Sequence, residues 1–163
     1  MKIHENFMGG NIRVMKKEGD TIELDNNLRD TIHDWFYWAF CVEGAAGRTL
    51  TFQFRDTRLG YFGPAVSHDL KDWNWLMEKD EDSFTYTFQE NEDKVYFAHH
   101  ILYHPIRFQK FVQENGVEVK TLTMSRKGRK IPCIEIGKCN KKIVLTARHH
   151  ACESTGSYIL DNF

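Results

Sequence analysis

The sequence has no apolar run approaching the roughly 18 residues that cross a bilayer as a helix. Its start, MKIHENFMGG, holds no stretch suited to a signal peptide. The four cysteines include no C-x-x-C pair, and no internal repeat or low-complexity segment is present. Charge of one sign is also lacking: 22 basic side chains stand against 23 acidic, giving a net charge of -1 and a pI near 6.7. These absences argue against a membrane helix, a disulfide framework, and a general nucleic-acid or anionic-membrane binder. The expectation is a soluble protein of a reducing, cytoplasmic compartment, with no nucleic-acid or membrane partner.

What is present is apolar and aromatic. At 41% hydrophobic, the 163 residues can bury a real core, so wholesale disorder is excluded. The length suits one domain, or a small domain and a piece of another. Aromatic side chains make up 13%, which predicts strands packed through large rings.

The first hundred residues read as strands. Residues 11–16 and 21–24 are short runs separated by Glu18-Gly19-Asp20, a hairpin spacing. Residues 35–43, WFYWAFCVE, are apolar on both faces, with Phe36, Trp38, Phe40 and Val42 on one side and Trp35, Tyr37, Ala39 and Cys41 on the other. That pattern predicts a central strand covered twice. RTLTFQF alternates cleanly, placing Leu50, Phe52 and Phe54 together, and FTYTF and residues 95–103 repeat the alternation. Short strands with frequent Gly and Pro breaks fit an antiparallel sandwich.

The period changes at His104-Pro105. Ile106, Phe108, Phe111 and Val112 recur at helical spacing, Pro105 suits a first helical turn, and Asn115-Gly116 ends the helix. Residues 117–124, a polar turn at 125–129, and residues 130–137 then read as a hairpin, and 142–147 as a buried strand. Residues 153–163 read as a helix still in register at Phe163, with no capping Gly or basic residue. Helix, hairpin, strand and helix open an α/β domain without completing it.

The most chemical stretch is KKIVLTARHHACESTGSYIL, a strand running through Arg148-His149-His150-Ala151-Cys152-Glu153 into a helix. Imidazole and carboxylate aimed at one point are good zinc ligands, and catalytic sites commonly combine two His and one Glu with a water. Spacing alone is weak, because eight His and twelve Glu yield about 0.6 chance H-x-x-E matches in this length. On spacing, Glu153 could equally complement a helix N-terminus beside surface histidines. His149 stands four residues from Glu153, so spacing does not choose between the histidines either.

The segment RHHACESTGSYIL resembles the first zinc-binding motif of the zinc metallocarboxypeptidases, and SRKGRKIPCIEIG resembles the hairpin before it. GGNIRV, LRDTIHDWFYWAFCVEGAAGRTLTFQF and RLGYFGPAVS resemble the β-sandwich that precedes the peptidase domain in the cytosolic-carboxypeptidase branch. The resemblance covers essentially the whole chain in order. It implies a mainly β protein: an antiparallel sandwich over residues 1–103, followed at 104–163 by the incomplete first part of an α/β zinc-carboxypeptidase domain.

It further implies that His150 and Glu153 are two of three protein ligands to one zinc ion. The third ligand, the general base, the carbonyl-polarising Arg and the groups holding the substrate's terminal carboxylate are expected downstream of Phe163. The implied reaction is hydrolysis of the last peptide bond of a peptide or protein, with this piece inactive alone. Relatives often carry Pro-Gly where this chain has Ala151-Cys152; the thiol is expected to pack rather than compete for metal. An unpaired sheet edge in the second part would invite self-association. Two rival readings are a non-enzymatic sandwich binding module and a family member that has lost catalysis.

Other conspicuous residues have plainer readings. His99, His100 and His104 straddle strand and linker and are expected to be structural, since strand neighbours face opposite ways. Arg126, Lys127, Arg129 and Lys130 are expected to be a solvated turn. Trp35 and Trp38 belong in the core, while Trp73 and Trp75 could be an exposed carbohydrate platform but more readily pack.

Overall fold

Alternating apolar and polar side chains build most of the fold. The structure is a computed structural model that describes residues 1–163 apart from 30, 32, 34, 56–58 and 163. Among the described residues the elements run β1 (Lys2–His4), β2 (Arg13–Glu18), β3 (Thr21–Asp25), β4 (Ala39–Glu43), β5 (Thr49–Phe54), β6 (Ala65–Ser67), β7 (Asn74–Trp75), β8 (Ser83–Thr87), β9 (Lys94–Ala98), α1 (Pro105–Asn115), β10 (Val119–Met124), β11 (Lys130–Ile134) and α2 (Ser154–Leu160). None of the described helices is long and apolar enough to cross a membrane.

The chain is mainly β. One sheet has the order β1-β4-β9-β6-β7 and a second the order β2-β3-β5-β8. Their pairs are antiparallel except β3 with β5, where Ile22 faces Phe52 and Leu24 faces Phe54 in parallel register. The parallel pair arises because β4, between them in sequence, crosses to the other sheet before the chain returns.

The two sheets pack face to face. Ile22, Leu24, Leu50, Phe52, Phe54 and Phe84 meet Trp38, Phe40, Val42, Val95 and Phe97, all of them buried. Rings cross the interface at 5.1 Å between Phe40 and Phe52 and 5.4 Å between Phe84 and Phe97. The β2–β3 hairpin closes at Glu18 opposite Thr21, with Gly19 at a φ of 60° that favours glycine.

The strand read at 35–43 starts only at Ala39. Its double coverage holds: Phe40 and Val42 enter the main core, while Ala39 joins a second cluster with Tyr37, Ala98 and Leu102. Trp38 is buried as expected, but Phe36 is 41% exposed and leans on Trp35 and His99 at 5.3 and 5.0 Å. Among the described residues no strand pairs with residues 35–38; the Trp38 carbonyl accepts from the His99 N–H at 3.0 Å, and a single bridge joins Asn11 to Ala39 where β4 begins. β1 has no counterpart in the sequence reading, because three residues are too few to show a period.

In the second part, α1 follows its local signals. The His104 imidazole accepts from the Ile106 N–H, Pro105 opens the first turn, and Gly116 adopts a left-handed φ of 58°. No residue of α1 is fully buried. β10 and β11 form an antiparallel hairpin. The strand expected over 142–147 is corrected: this stretch is irregular, with Ile143 and Val144 89% and 80% exposed. A strand needs neighbours for its backbone groups, and no described strand pairs with it. The terminal helix spans Ser154–Leu160, shorter than the expected 153–163, and Phe163 lies outside the described residues.

Candidate active site

α2 is fastened to the segment that leaves the sandwich. The buried Ser154 hydroxyl donates to the Ile101 carbonyl at 2.5 Å, and the Tyr158 hydroxyl donates to the Leu102 carbonyl at 2.9 Å. At the far end Asp161 accepts from the Tyr103 hydroxyl at 2.5 Å and from Arg107 Nε at 2.8 Å. The Arg107 guanidinium lies 4.5 Å over the Tyr158 ring, which meets the Tyr103 ring edge-on. Burial, with Asp161 next, pushes the Tyr103 hydroxyl up, so it stays a donor.

These anchors hold the turn that carries the H-x-x-E residues. His150 Nδ1 lies 2.7 Å from Glu153 Oε1, the His150 N–H donates to Glu153 Oε2 at 3.2 Å, and the Glu153 N–H donates back to the His150 carbonyl at 3.1 Å. The geometry therefore joins His150, not His149, to Glu153. Both side chains are half-exposed. The His150 imidazole and backbone N–H hold the Glu153 carboxyl below the usual carboxylate range. Tetrahedral bonds of about 2.0 Å would set nitrogen and oxygen about 3.3 Å apart, so a small opening of this pair fits two ligands of one zinc ion.

The sandwich reaches this turn. The Trp35 ring sits 5.3 Å from the His150 ring, and Cys152 packs against the cluster of Tyr37, Ala39, Ala98 and Leu102, as expected for a packing thiol. Arg148, at a left-handed φ of 60°, donates to the Tyr103 carbonyl. A cleft of about 580 Å³ opens alongside, with Arg29, Tyr37, Lys127, Arg129 and Arg148 among its lining residues. The basic turn is exposed, and two of its cations also border this cleft.

The other conspicuous residues are structural. His99 contacts Phe36 and Trp38, His100 contacts Tyr37 at 5.7 Å, and His104 caps α1. Burial holds His99 and His104 below the ordinary imidazole value and takes His100 down to about 4. Trp73 packs into the second cluster and Trp75 against Phe62 at 5.5 Å. Sequence reasoning missed one grouping: His4, Cys41 and Glu43 place one donor atom each within 4.8 Å of one another. Only the register of β1 on β4 makes them neighbours, pairing His4 with Cys41.

The cytosolic carboxypeptidase N-terminal domain model matches residues 3–100, most of the strands described above. The chain belongs to the cytosolic-carboxypeptidase-like metallocarboxypeptidases. This cytosolic-carboxypeptidase-like chain is 27% identical over 176 residues to an uncharacterized protein of Zymomonas mobilis, covering 99% of itself and 46% of that relative. It shares the fold of a metallo-carboxypeptidase from Burkholderia cenocepacia at a TM-score of 0.65 and 21% identity, over 86% of this chain and 40% of that one. A Pseudomonas aeruginosa metallo-carboxypeptidase, solved in complex with (2-guanidinoethylmercapto)succinic acid, aligns at a TM-score of 0.58 and 24% identity, over 81% and 39%. The chain spans less than half the length of these relatives.

Proposed function

We propose that this chain belongs to a zinc-dependent carboxypeptidase that removes C-terminal residues from peptides or proteins in the cytoplasm. Residues 1–103 are its sandwich domain and 104–163 the start of its catalytic domain. The reading rests on the convergence of His150 Nδ1 and Glu153 Oε1 at 2.7 Å, in a chain whose structural neighbours are metallo-carboxypeptidases. A zinc ion bound there supplies Lewis acidity toward a substrate carbonyl and a water.

The chain's own residues hold and orient. His150 and Glu153 offer the two donor atoms, and Ser154, Tyr158 and Asp161 fix the helix behind them. Trp35 and Cys152 fill the space between this turn and the sandwich, which limits how far the donors can swing. Two protein donors do not complete a catalytic zinc site, so a third ligand and a general base must come from residues outside these 163. The piece alone is therefore inactive.

Two measurements test this. The 163-residue chain releases no C-terminal amino acid from peptides; release by it overturns the inactive-piece reading. In a polypeptide that also carries the remaining catalytic residues, His150→Ala and Glu153→Ala each abolish release and remove the tightly held zinc. Zinc retained after both substitutions overturns the ligand assignment.

A further inference from the structure

The outer face of the five-stranded sheet carries a second group of metal-competent donors. His4 on β1 lies directly across from Cys41 on β4, and Glu43 is two residues further along β4, on the same face as Cys41. Phe40 and Val42 take the opposite face into the core, which turns Cys41 and Glu43 outward. Tyr96 on β9 pairs with Cys41 and stacks edge-on against Phe7 at 5.1 Å, so the thiol is covered although it lies on the outer face.

The group is unlike an ordinary surface ion pair. His4 Nε2 lies 3.3 Å from Glu43 Oε1 and is closed off from solvent without a well-aligned hydrogen bond; Lys94 first and then His4 hold the Glu43 carboxyl below the usual carboxylate range. The separation matches two ligands at about 2.0 Å from one tetrahedral ion, and the Cys41 sulfur completes a set within 4.8 Å. The His4 side chain keeps 14% exposure and that of Glu43 31%, which leaves an ion a route in from solvent.

We propose that His4, Cys41 and Glu43 form a zinc-class metal site in the sandwich, separate from His150 and Glu153. Thiolate, imidazole and carboxylate together suit a borderline-soft divalent ion, with water in the fourth position. Loading exchanges the Cys41 thiol proton for the metal and releases that proton to solvent. The imidazole proton moves from Nε2 to Nδ1, which ends the hydrogen bond that Nδ1 accepts from the Asn6 N–H at 3.1 Å. The Lys94 ammonium, 2.9 Å from Glu43 Oε1, swings away on its flexible stem as the ion takes its place.

The test uses the chain with His150→Ala and Glu153→Ala, so failure of this site and failure of the proposed active site are read separately. Metal-free chain is titrated with Co²⁺, and thiolate-to-cobalt absorption is followed. The expected result is one thiolate-bound Co²⁺ per chain, displaced by Zn²⁺. His4→Asn and Glu43→Gln, both at partly exposed positions, weaken binding by at least about tenfold while far-UV circular dichroism is unchanged. Cys41→Ser abolishes the absorption. No thiolate absorption in the starting chain overturns the proposal. So does absorption that survives Cys41→Ser, or affinity that is unchanged in both His4→Asn and Glu43→Gln.

Discussion

Phe97→Ala is the sharpest test of the core. Phe97, on β9, is buried and touches five rings: Phe40 at 5.3 Å on its own sheet, and Phe52, Phe84, Tyr86 and Phe88 at 5.4, 5.4, 5.0 and 6.1 Å across the interface. Truncating a buried Phe costs roughly 3–5 kcal/mol, from lost transfer energy and the cavity left behind. Each ring pair adds about 0.5–1.5 kcal/mol beyond area, and Phe97 joins the two sheets, so the upper part of that range is expected. For a chain of this size, roughly 2–4 °C of Tm accompanies each kcal/mol, which predicts a fall of roughly 8–16 °C.

Equilibrium urea unfolding followed by tryptophan fluorescence measures the loss, since Trp38, one of the four tryptophans, is buried and packs on Phe54 at 4.7 Å. Phe97→Leu, which keeps most of the volume, should cost less than about 1.5 kcal/mol. Tyr61→Ala, at a side chain 91% exposed, should change stability by less than about 0.5 kcal/mol. A cost below about 1 kcal/mol for Phe97→Ala, or one equal to that of Tyr61→Ala, refutes the packing of the two sheets through these rings.

Two further outcomes follow from the anchors and turns. Tyr103→Phe removes the hydroxyl that donates to Asp161 and should loosen α2 by about 1.5–3 kcal/mol, read as roughly tenfold or faster amide exchange in α2 with the β5 and β9 amides unaffected. Uniform acceleration across all elements contradicts that local role. Asp69 is held below the usual carboxylate range by the N–H groups of Asp72 and Lys71, at 2.9 and 2.8 Å. A depressed folded value stabilises above the unfolded carboxyl value of about 3.9 and is lost as pH falls through the lower folded value. Asp69→Asn should thus lower the urea midpoint at pH 7 and converge with the parent as the pH drops below about 4. A gap independent of pH counts against the assignment.

Local signals were readable and distant ones were not. TLTFQF declares a half-buried strand by its period, and His104-Pro105 with Asn115-Gly116 brackets α1. The run at 142–147 misleads because an apolar composition says nothing about whether a neighbouring strand is there to pair with it. The parallel match of β3 with β5 depends on an intervening excursion to the other sheet, which no window of sequence contains.

The candidate site divides in the same way. H-x-x-E is visible as a pattern, but choosing His150 over His149 required the backbone of the turn before α2. The Tyr103–Asp161 contact joins residues 58 positions apart, and His4 meets Cys41 only through strand register. Neither leaves a periodic trace.

The fastening of α2 to the linker sets an order of assembly. Ile101, Leu102 and Tyr103 are synthesised well before Ser154, Tyr158 and Asp161, so the N-terminal strands can fold on the ribosome and present a finished surface. The turn carrying His150 and Glu153 then forms against that surface, with Trp35 and the Tyr37 cluster already in place. The sandwich acts as a mould for a site to which it contributes no proposed ligand. Substitutions that displace Trp35 or the Tyr37 cluster should therefore also be felt at the His150–Glu153 turn, far along the chain from the lesion.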